Sequence, residues 1–218
     1  MARNRAFDTG VVVQAARDVF WTLGYDAAAM PDLERATGLA RSSLYNAFGS
    51  KRGLFDAAVQ SYLGEVVRPR LAALAAASTG AAGLRAYFES VAAAVLAGVE
   101  GAGPGGTPAG PPGCLLLVAA SGSRGRDGKV RAAVDAYRQE VTGAFAAALR
   151  RDIPAWGGGG SPRDDGAPGE EQDAWAGRRA RLLFAVLAAG MTLARINAEE
   201  AAATLRSAGD LADAAAIR

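Results

Sequence analysis

The segment from residue 41 to residue 55, RSSLYNAFGSKRGLF, constrains the fold more than any other part of the chain. Leu44 and Phe48 are four residues apart, so they share one side of a helix, whereas Arg41 and Asn46 project from other sides. A short helix with one apolar side and one small, hydrogen-bonding side can dock on a protein core and present its polar groups to a DNA groove. The segment therefore predicts a recognition helix.

The preceding segment supplies the scaffold that such a helix needs. Residues 31 to 38, PDLERATG, predict a short helix that begins at Pro31, whose fixed φ and missing N–H are tolerated in a first turn. Gly38 can adopt the left-handed conformation that reverses the chain. Together the two segments predict a helix-turn-helix motif. We expect four apolar residues to meet inside it: Leu33, Ala36, Leu39 and Leu44.

Two further helices are expected to flank the motif. Apolar residues recur at helical spacing upstream, and Gly24 stands where that helix would end: Val12, Ala16, Val19, Phe20 and Leu23. Downstream, Ser50 can cap a long helix whose first turn carries Lys51 and Arg52. Cations in a first turn oppose the helix dipole, which indicates a phosphate partner.

Many of these residues keep their order and spacing across three helices. The positions concerned are Gly24-Tyr25-Asp26, Asp32-Leu33, Ala36 to Leu39, Arg41 to Asn46 and Phe48 to Lys51. Between residues 8 and 56 the chain resembles the TetR family of bacterial transcriptional regulators. The resemblance implies an all-α chain with an N-terminal three-helix helix-turn-helix DNA-binding domain, residues 1–55, and a C-terminal helical ligand-binding and dimerisation domain, residues 56–218.

The resemblance also implies a set of DNA contacts around the recognition helix: Met30, Arg41, Ser42, Ser43, Tyr45, Asn46 and Lys51. Arg41 is the best candidate for a bidentate guanine contact, and Asn46 suits adenine. Tyr45 and Lys51 are better suited to phosphate. The two serines can contact bases or phosphate, although Ser43 can also pack inward. The alternative for each residue is an ordinary exposed helix position.

Two departures from the family pattern reduce the expected phosphate anchors. Ala27 to Ala29 stand where many members carry a Thr or Ser that caps the second helix, so a cap hydroxyl worth about 1 kcal/mol is absent. Ala47 stands where a His often precedes the Phe of the recognition helix.

The composition argues against an enzyme. The 218 residues include no histidine, which rules out Ser-His-Asp and Cys-His nucleophile systems and the usual zinc ligand sets. We therefore expect no catalytic residues, no metal and no cofactor. The formal net charge is only +2, so DNA affinity must come from a localised patch. Arg3 and Arg5 lie on an expected N-terminal arm that either enters a minor groove or is simply solvated.

Neither membrane insertion nor export is expected. The chain has no apolar span of 18 residues and no apolar region after its N-terminal arginines. The single cysteine agrees with a reducing compartment. We therefore expect a cytoplasmic protein without a membrane partner.

Helical spacing continues through the rest of the chain and predicts helices at residues 51–76, 81–99, 114–121, 127–151, 170–196 and 198–217. Pro69 should bend or split the first of these. Two segments rich in Gly and Pro, 101–113 and 154–169, are expected to be mobile linkers. We expect the glycine run 157–160 to be a flexible loop and not a phosphate loop, because no Gly-Lys-Ser/Thr follows it.

In the family resemblance the last two helices pair with their symmetry mates in a four-helix interface, which implies a homodimer. Completion of an intramolecular core is the alternative for this face. A two-fold dimer reads a palindromic double-stranded DNA operator, with its recognition helices in successive major grooves about 34–36 Å apart.

Candidate residues for an effector cavity are large or polarisable groups on inward faces: Tyr87, Phe88, Val91, Cys114, Leu117, Tyr137 and Phe184. Core packing is the alternative for each. Because aromatic groups outnumber charged ones in this set, the expected effector is a small apolar or aromatic molecule.

The resulting expectation is a repressor that releases its operator when the effector binds, with repression resting on family analogy alone. One alternative is a thiol-based regulator, because Cys114 lies near a helix N-terminus that favours thiolate. Against it, a free cysteine is often a small buried hydrophobe. A second alternative is an unregulated architectural DNA-binding protein.

Overall fold

The computed structural model describes residues 7–100, 111, 113–122, 127–152 and 168–213. Within these ranges the regular structure is helical and no strand is present. The expectation of an all-α fold is therefore confirmed.

The first three helices are α1 (Thr9–Ala27), α2 (Met30–Thr37) and α3 (Arg41–Phe48). Asp8 caps α1, because its carboxylate accepts the Gly10 N–H at 2.8 Å. Gly24 interrupts α1 with φ +79°, a conformation that an L side chain rarely adopts. The helix thus breaks at the glycine that the sequence marked as its end, and one further turn follows.

A long helical segment comes next. It comprises α4 (Lys51–Tyr62), one turn of π-helix (Leu63–Val67) and α5 (Arg68–Ala76). Ser50 caps α4 as expected, because its Oγ accepts the Gly53 N–H at 3.0 Å. Pro69 has no N–H to donate, and the wide turn lies immediately before the turn that contains it. The disturbance expected from Pro69 is therefore a widened turn.

The remaining helices are α6 (Gly80–Glu100), α7 (Leu115–Ser121), α8 (Gly128–Asp152), α9 (Pro168–Leu193) and α10 (Ala198–Asp213). Each corresponds to a helix expected from apolar spacing. The two expected linkers fall almost entirely outside the described residues, and α9 begins two residues before its expected start at Glu170.

The chain divides into two compact units. The first comprises Met1–Arg68 and Cys114–Val134, and the second comprises Pro69–Gly113 and Asp135–Arg218. The functional division into residues 1–55 and 56–218 stays a prediction, because a compact unit is defined by contacts and a functional domain by what it binds.

Aromatic rings form the core of the first unit. Phe20 is fully buried and meets Phe55 edge to face, with 5.2 Å between ring centroids, and Trp21 meets Tyr62 at 4.8 Å. Within the helix-turn-helix motif, Leu33 and Leu44 are buried and Leu39 is partly buried. Ala36 is exposed, so its expected place inside the motif is wrong. Its methyl group points to the solvent side of α2.

The second unit has its own core. The largest fully buried side chains there come from α5, α6, α8, α9 and α10: Leu74, Leu84, Phe88, Phe145, Leu187 and Leu205. Gly190 allows α9 and α10 to approach closely, because a Cβ at this residue would lie 2.7 Å from Leu205 Cγ. Asp152, at the end of α8, caps α6 by accepting the Gly80 N–H at 2.7 Å.

Among the described helices, none is long and apolar enough to cross a membrane.

Candidate nucleic-acid interface

The α3 helix has one docked side and one open side. Leu44 is 2% exposed and holds α3 against the first unit, and Phe48 is partly buried. Arg41, Ser42 and Asn46 are exposed. As predicted, the apolar residues dock and the polar residues remain available.

The turn that orients α3 depends on backbone geometry and one hydroxyl. Gly38 ends α2 with φ +68°. The Thr37 hydroxyl donates to the Leu33 carbonyl at 2.7 Å and accepts the Leu39 N–H at 3.3 Å. Because Ala40 precedes α3 without a side-chain cap, the position of α3 depends on this turn and on the burial of Leu44.

The start of α2 lacks a cap hydroxyl, as the sequence indicated, and the side chain of its N-cap residue Ala29 makes no cap bond. Asp32 Oδ2 accepts the Ala29 N–H at 3.0 Å. The other oxygen of Asp32 pairs with Arg35 at 3.2 Å. Met30, the first residue of α2, is partly buried.

Arg41 and Tyr45 contact each other along the open side of α3. Arg41 Nη2 donates to the Tyr45 hydroxyl oxygen at 3.2 Å, and the guanidinium carbon lies 5.2 Å from the centre of the tyrosine ring. Arg41 is exposed and Tyr45 is partly buried. Tyr45, expected as a phosphate contact, thus has a second partner within the helix.

Lys51 lies at the first position of α4, beside an aromatic ring. Its ammonium nitrogen is 4.6 Å from the centre of the Tyr25 ring, within the range of a cation–π contact. Tyr25 is 9% exposed and packs against Phe20 and Phe55, with centroid distances of 6.0 Å and 5.0 Å. Sequence reasoning did not assign Tyr25 a role at the site. The feature of the sequence that could have indicated this role is the position of Tyr25 directly after Gly24, where the helix was expected to end.

Arg52 was expected beside Lys51 as a first-turn cation facing phosphate, but it pairs within the protein. It meets Asp56 at 2.7 Å and Asp127 at 3.0 Å. The i, i+4 spacing to Asp56 was visible in the sequence, whereas Asp127 is distant in sequence. The interpretation of Arg52 as a sign of a phosphate partner therefore has a structural alternative.

Asp127 accepts hydrogen bonds from Arg52 and from the backbone N–H groups of Lys129 and Val130. The Lys129 N–H is the largest cause that holds the pKa of Asp127 below its ordinary value, and Arg52 and the Val130 N–H add to it. Asp127 is therefore an ionised cap at the start of α8.

Other cations of the N-terminal segment differ in availability. Arg17 is 6% exposed and pairs with Glu65 at 2.7 Å and Asp18 at 3.1 Å, so it belongs to the interior of the first unit. Arg3 and Arg5 lie outside the described residues. Of the remaining expected contacts, Ser43 is partly buried, which agrees with its alternative of inward packing.

The expected effector residues fall into both compact units. Cys114 and Leu117 belong to the first unit. Those in the second unit are Tyr87, Phe88, Val91, Tyr137 and Phe184. Cys114 is 1% exposed, which favours a packing role and argues against a reactive thiol.

Aromatic contacts join several of the second-unit residues. Tyr87 lies 5.5 Å from Phe88 and 5.1 Å from Phe145, and Tyr137 lies 5.9 Å from Phe184, measured between ring centroids. Phe145 was not among the expected effector residues. Within the described residues, no group of three His, Cys, Asp or Glu side chains could hold a metal ion.

A family model described as "Bacterial regulatory proteins, tetR family" matches residues 12–58. Over 63 residues the chain is 48% identical to the uncharacterized HTH-type transcriptional regulator YezE of Bacillus subtilis, covering 29% of this chain and 32% of that protein. It is 38% identical over 61 residues to the HTH-type transcriptional repressor ComR of Escherichia coli, covering 28% and 29%. The matches thus span about a third of the length of these curated relatives.

The fold likeness extends further. A structure of the TetR family transcriptional regulator CifR, a cysteine mutant complexed with 26-bp double-strand operator DNA, covers 96% of this chain and 97% of its own. The TM-score is 0.69 and the sequence identity is 28%. The resemblance expected from the helix-turn-helix residues therefore extends to the helices of both compact units.

Proposed function

We propose that this chain, which matches the model of the tetR family of bacterial regulatory proteins over residues 12–58, is a repressor which binds a palindromic DNA operator and releases it when a small effector binds. Regulators of this family bind DNA and are not enzymes, in agreement with the expectation from the missing histidines. One solved relative is complexed with operator DNA, and one curated relative is named as a repressor.

The observation that carries the proposal is the open side of α3. Leu44 anchors the helix while Arg41, Ser42 and Asn46 remain exposed. Arginine can donate two hydrogen bonds to guanine O6 and N7, and asparagine can pair with adenine N6 and N7. We assign base contacts to Arg41 and Asn46.

Around α3, the proposal assigns positioning contacts to the DNA backbone. Lys51 contacts phosphate, Ser42 and Ser43 contact bases or phosphate, and Met30 lies at the edge of the interface. Such contacts set the register of the protein on the duplex and make the affinity depend on salt.

The proposed dimer uses α9 and α10. Leu182 is 62% exposed, and Ala185 and Ala189 are exposed at helical spacing on the same side of α9. A second copy related by a two-fold axis would cover this apolar side. The axis would place two α3 helices in successive major grooves, about 34–36 Å apart.

The proposed effector is a small apolar or aromatic molecule that binds among residues of α6, α8 and α9. Tyr87, Val91, Tyr137 and Phe184 are its proposed contacts, together with the fully buried ring of Phe88. Cys114 and Leu117 remain predicted contacts. An effector that binds one of two dimer states more tightly shifts the population toward that state, and release follows if that state binds DNA weakly.

Sequencing of genomic DNA fragments retained by the purified protein over a series of salt concentrations tests the proposal. The Arg41→Ala variant tests the role of α3. Arg138→Ala is the matched control, because Arg138 is a partly exposed arginine on α8 that pairs with Asp135. We expect a palindromic site that Arg41→Ala weakens by about 5- to 150-fold per half-site and Arg138→Ala leaves unchanged.

Retention no better than that of random fragments, by protein shown to be folded, would refute the DNA-binding proposal. Once a site is known, the product of the neighbouring gene indicates which compounds to test as effectors. Release of the site by a compound separates a repressor from an unregulated architectural protein.

A further inference from the structure

We infer that Tyr45 is a positioning residue for Arg41, so that the pair selects the base at one operator position. The inference rests on the proposed function and gives Tyr45 a role other than the phosphate contact expected from the sequence. Tyr45 holds the guanidinium in an orientation from which Arg41 can read a base pair.

The contact between the two side chains follows from helix geometry. Residues four apart lie on the same side of a helix, and helical side chains lean toward the N-terminus. Tyr45 therefore reaches back toward the turn that begins with Arg41. Its ring lies 5.2 Å from the guanidinium carbon, and its hydroxyl oxygen accepts from Nη2 at 3.2 Å. Two contacts of different kinds restrict the orientation of one guanidinium.

This restriction matters because Arg41 is exposed. A long exposed side chain samples many rotamers, and ordering it on DNA costs conformational entropy. Contacts that already hold the side chain reduce that cost and keep alternative orientations from contacting a wrong base. Preorganisation by Tyr45 therefore acts on base discrimination as well as on affinity.

The contact leaves Arg41 able to read guanine. Four of the five N–H donors of a guanidinium form two edges with two donors each, and the two N–H groups of Nη2 belong to different edges. One bond to Tyr45 therefore leaves at least one edge with both donors. A guanine presents O6 and N7 to such an edge in the major groove.

The chemistry of the partner distinguishes Arg41 from its neighbours. Arg52 and Arg17 are neutralised by carboxylates within the first unit. Among the described residues, no carboxylate lies within ion-pair distance of Arg41, which contacts the uncharged side chain of Tyr45 instead. A ring binds the cation without neutralising it, so Arg41 keeps its charge for the DNA.

A double-mutant cycle tests the inference, with the operator from the genomic selection as the probe. The variants are Arg41→Ala, Tyr45→Phe, Tyr45→Leu and the double variants. Each is titrated against the operator, against operators with single base-pair changes and against a random duplex. Tyr45→Phe keeps the ring and removes the hydroxyl, whereas Tyr45→Leu removes both contacts. Thermal unfolding of each variant verifies the fold.

We expect Tyr45→Phe to reduce the preference for one operator base pair, measured as the ratio of the affinities for the original and the changed duplex, by about 3- to 10-fold. This base pair should be the one whose recognition is lost in Arg41→Ala. Tyr45→Leu should reduce it further. In the Arg41→Ala background, neither Tyr45 change should alter discrimination. Asn46→Ala is the matched control on the same helix, and its effect should persist in that background.

Two results overturn the inference and can be told apart. In the first result, Tyr45→Phe weakens binding to all duplexes by the same factor, and by the same factor again in the Arg41→Ala background. Tyr45 is then a phosphate contact and only the inference fails. If Arg41→Ala changes neither affinity nor discrimination, then α3 does not read DNA through Arg41. In that case the base-reading part of the proposed function fails as well.

Discussion

Arg52 and Asp127 form an ion pair with 3.0 Å between Nη1 and Oδ2, although 75 positions separate them in the sequence. The pair joins the first turn of α4 to the residue before α8. The second oxygen of Asp127 accepts the Lys129 N–H at 2.8 Å and so caps α8. One carboxylate thus connects the segment that follows α3 to the start of the distant helix α8, within the same compact unit.

We expect the contribution of Asp127 to stability to depend on pH. Its pKa is lowered in the folded protein, chiefly by the Lys129 N–H and further by Arg52. Ionised Asp127 therefore stabilises the fold above its unfolded pKa, about 3.9, and this contribution is lost as the pH falls through the lower, folded pKa. Asp127→Asn keeps an oxygen for the cap and removes the charge. Its unfolding temperature should lie below that of the wild type at neutral pH.

Unfolding temperatures of the two proteins, measured by circular dichroism, should converge as the pH falls below about 4. A difference of constant size down to pH 2 would mean that the charge of Asp127 does not contribute.

Removal of the Lys51 charge should weaken DNA binding equally for all sequences. For Lys51→Gln we expect the slope of log affinity against log salt to become shallower by about 0.9 per half-site, because one phosphate contact is lost. Lys129 is the only other lysine in the chain, is exposed on α8, and provides the matched control Lys129→Gln. Titrations of operator and random duplex at several salt concentrations measure both slopes. Equal slopes for the two variants would exclude a phosphate contact by Lys51.

Alanine should have opposite effects at two glycines. Gly24 has φ +79° and ψ 165°, a region almost confined to glycine, so Gly24→Ala should destabilise the protein by about 1–3 kcal/mol. Gly143 lies inside α8 with open space where a Cβ would be, so Gly143→Ala should stabilise it by about 0.5–1 kcal/mol. Urea unfolding measures both free energies. If Gly24→Ala left the free energy of unfolding unchanged, the backbone of α1 would be able to relax at this break.

A charge at Leu182 should dissociate the proposed dimer. In an isologous interface each residue occurs twice, so Leu182→Glu should raise the dissociation constant on the order of 100-fold or more. Leu23→Glu is the control, because Leu23 is an exposed leucine on α1. Sedimentation equilibrium reports the constant for each variant. An unchanged constant for Leu182→Glu would place the interface elsewhere.

Cys114 should react slowly with a small alkylating reagent. The residue is 1% exposed, so access requires local opening of the fold. We expect the rate for the native protein to fall well below that for the urea-unfolded chain, as followed by mass spectrometry. If Cys114 in the native protein reacted at or above the rate of the unfolded chain, this result would support the thiol-based alternative.

Local patterns were sufficient to predict the helices. Glycines at positions 38 and 49 end α2 and α3, and Gly24 breaks α1 one turn before its end; all three have a positive φ, which other residues rarely adopt. Apolar spacing located the remaining helices within a few residues. Both signals act over one or two turns, so a single sequence carries them in full.

Contacts between distant residues could not be predicted in this way. Arg52 has a suitable partner four residues away, and nothing near it in sequence indicates Asp127. Residues 114–134 belong to the same compact unit as the helix-turn-helix motif, which their own composition does not reveal. The contact between Arg41 and Tyr45 was within reach of sequence reasoning, because four-residue spacing on a helix brings such side chains together.

The π turn before α5 is equivalent to a one-residue insertion in an α-helix. From the end of this turn onward, the buried apolar residues of the segment are Val67, Leu71 and Leu74. In a relative that lacks one residue at this turn, the same core requires each of these apolar residues to occur one sequence position earlier. A length change between α5 and α6 would impose no such shift, so this turn is a point at which an alignment gap carries structural meaning.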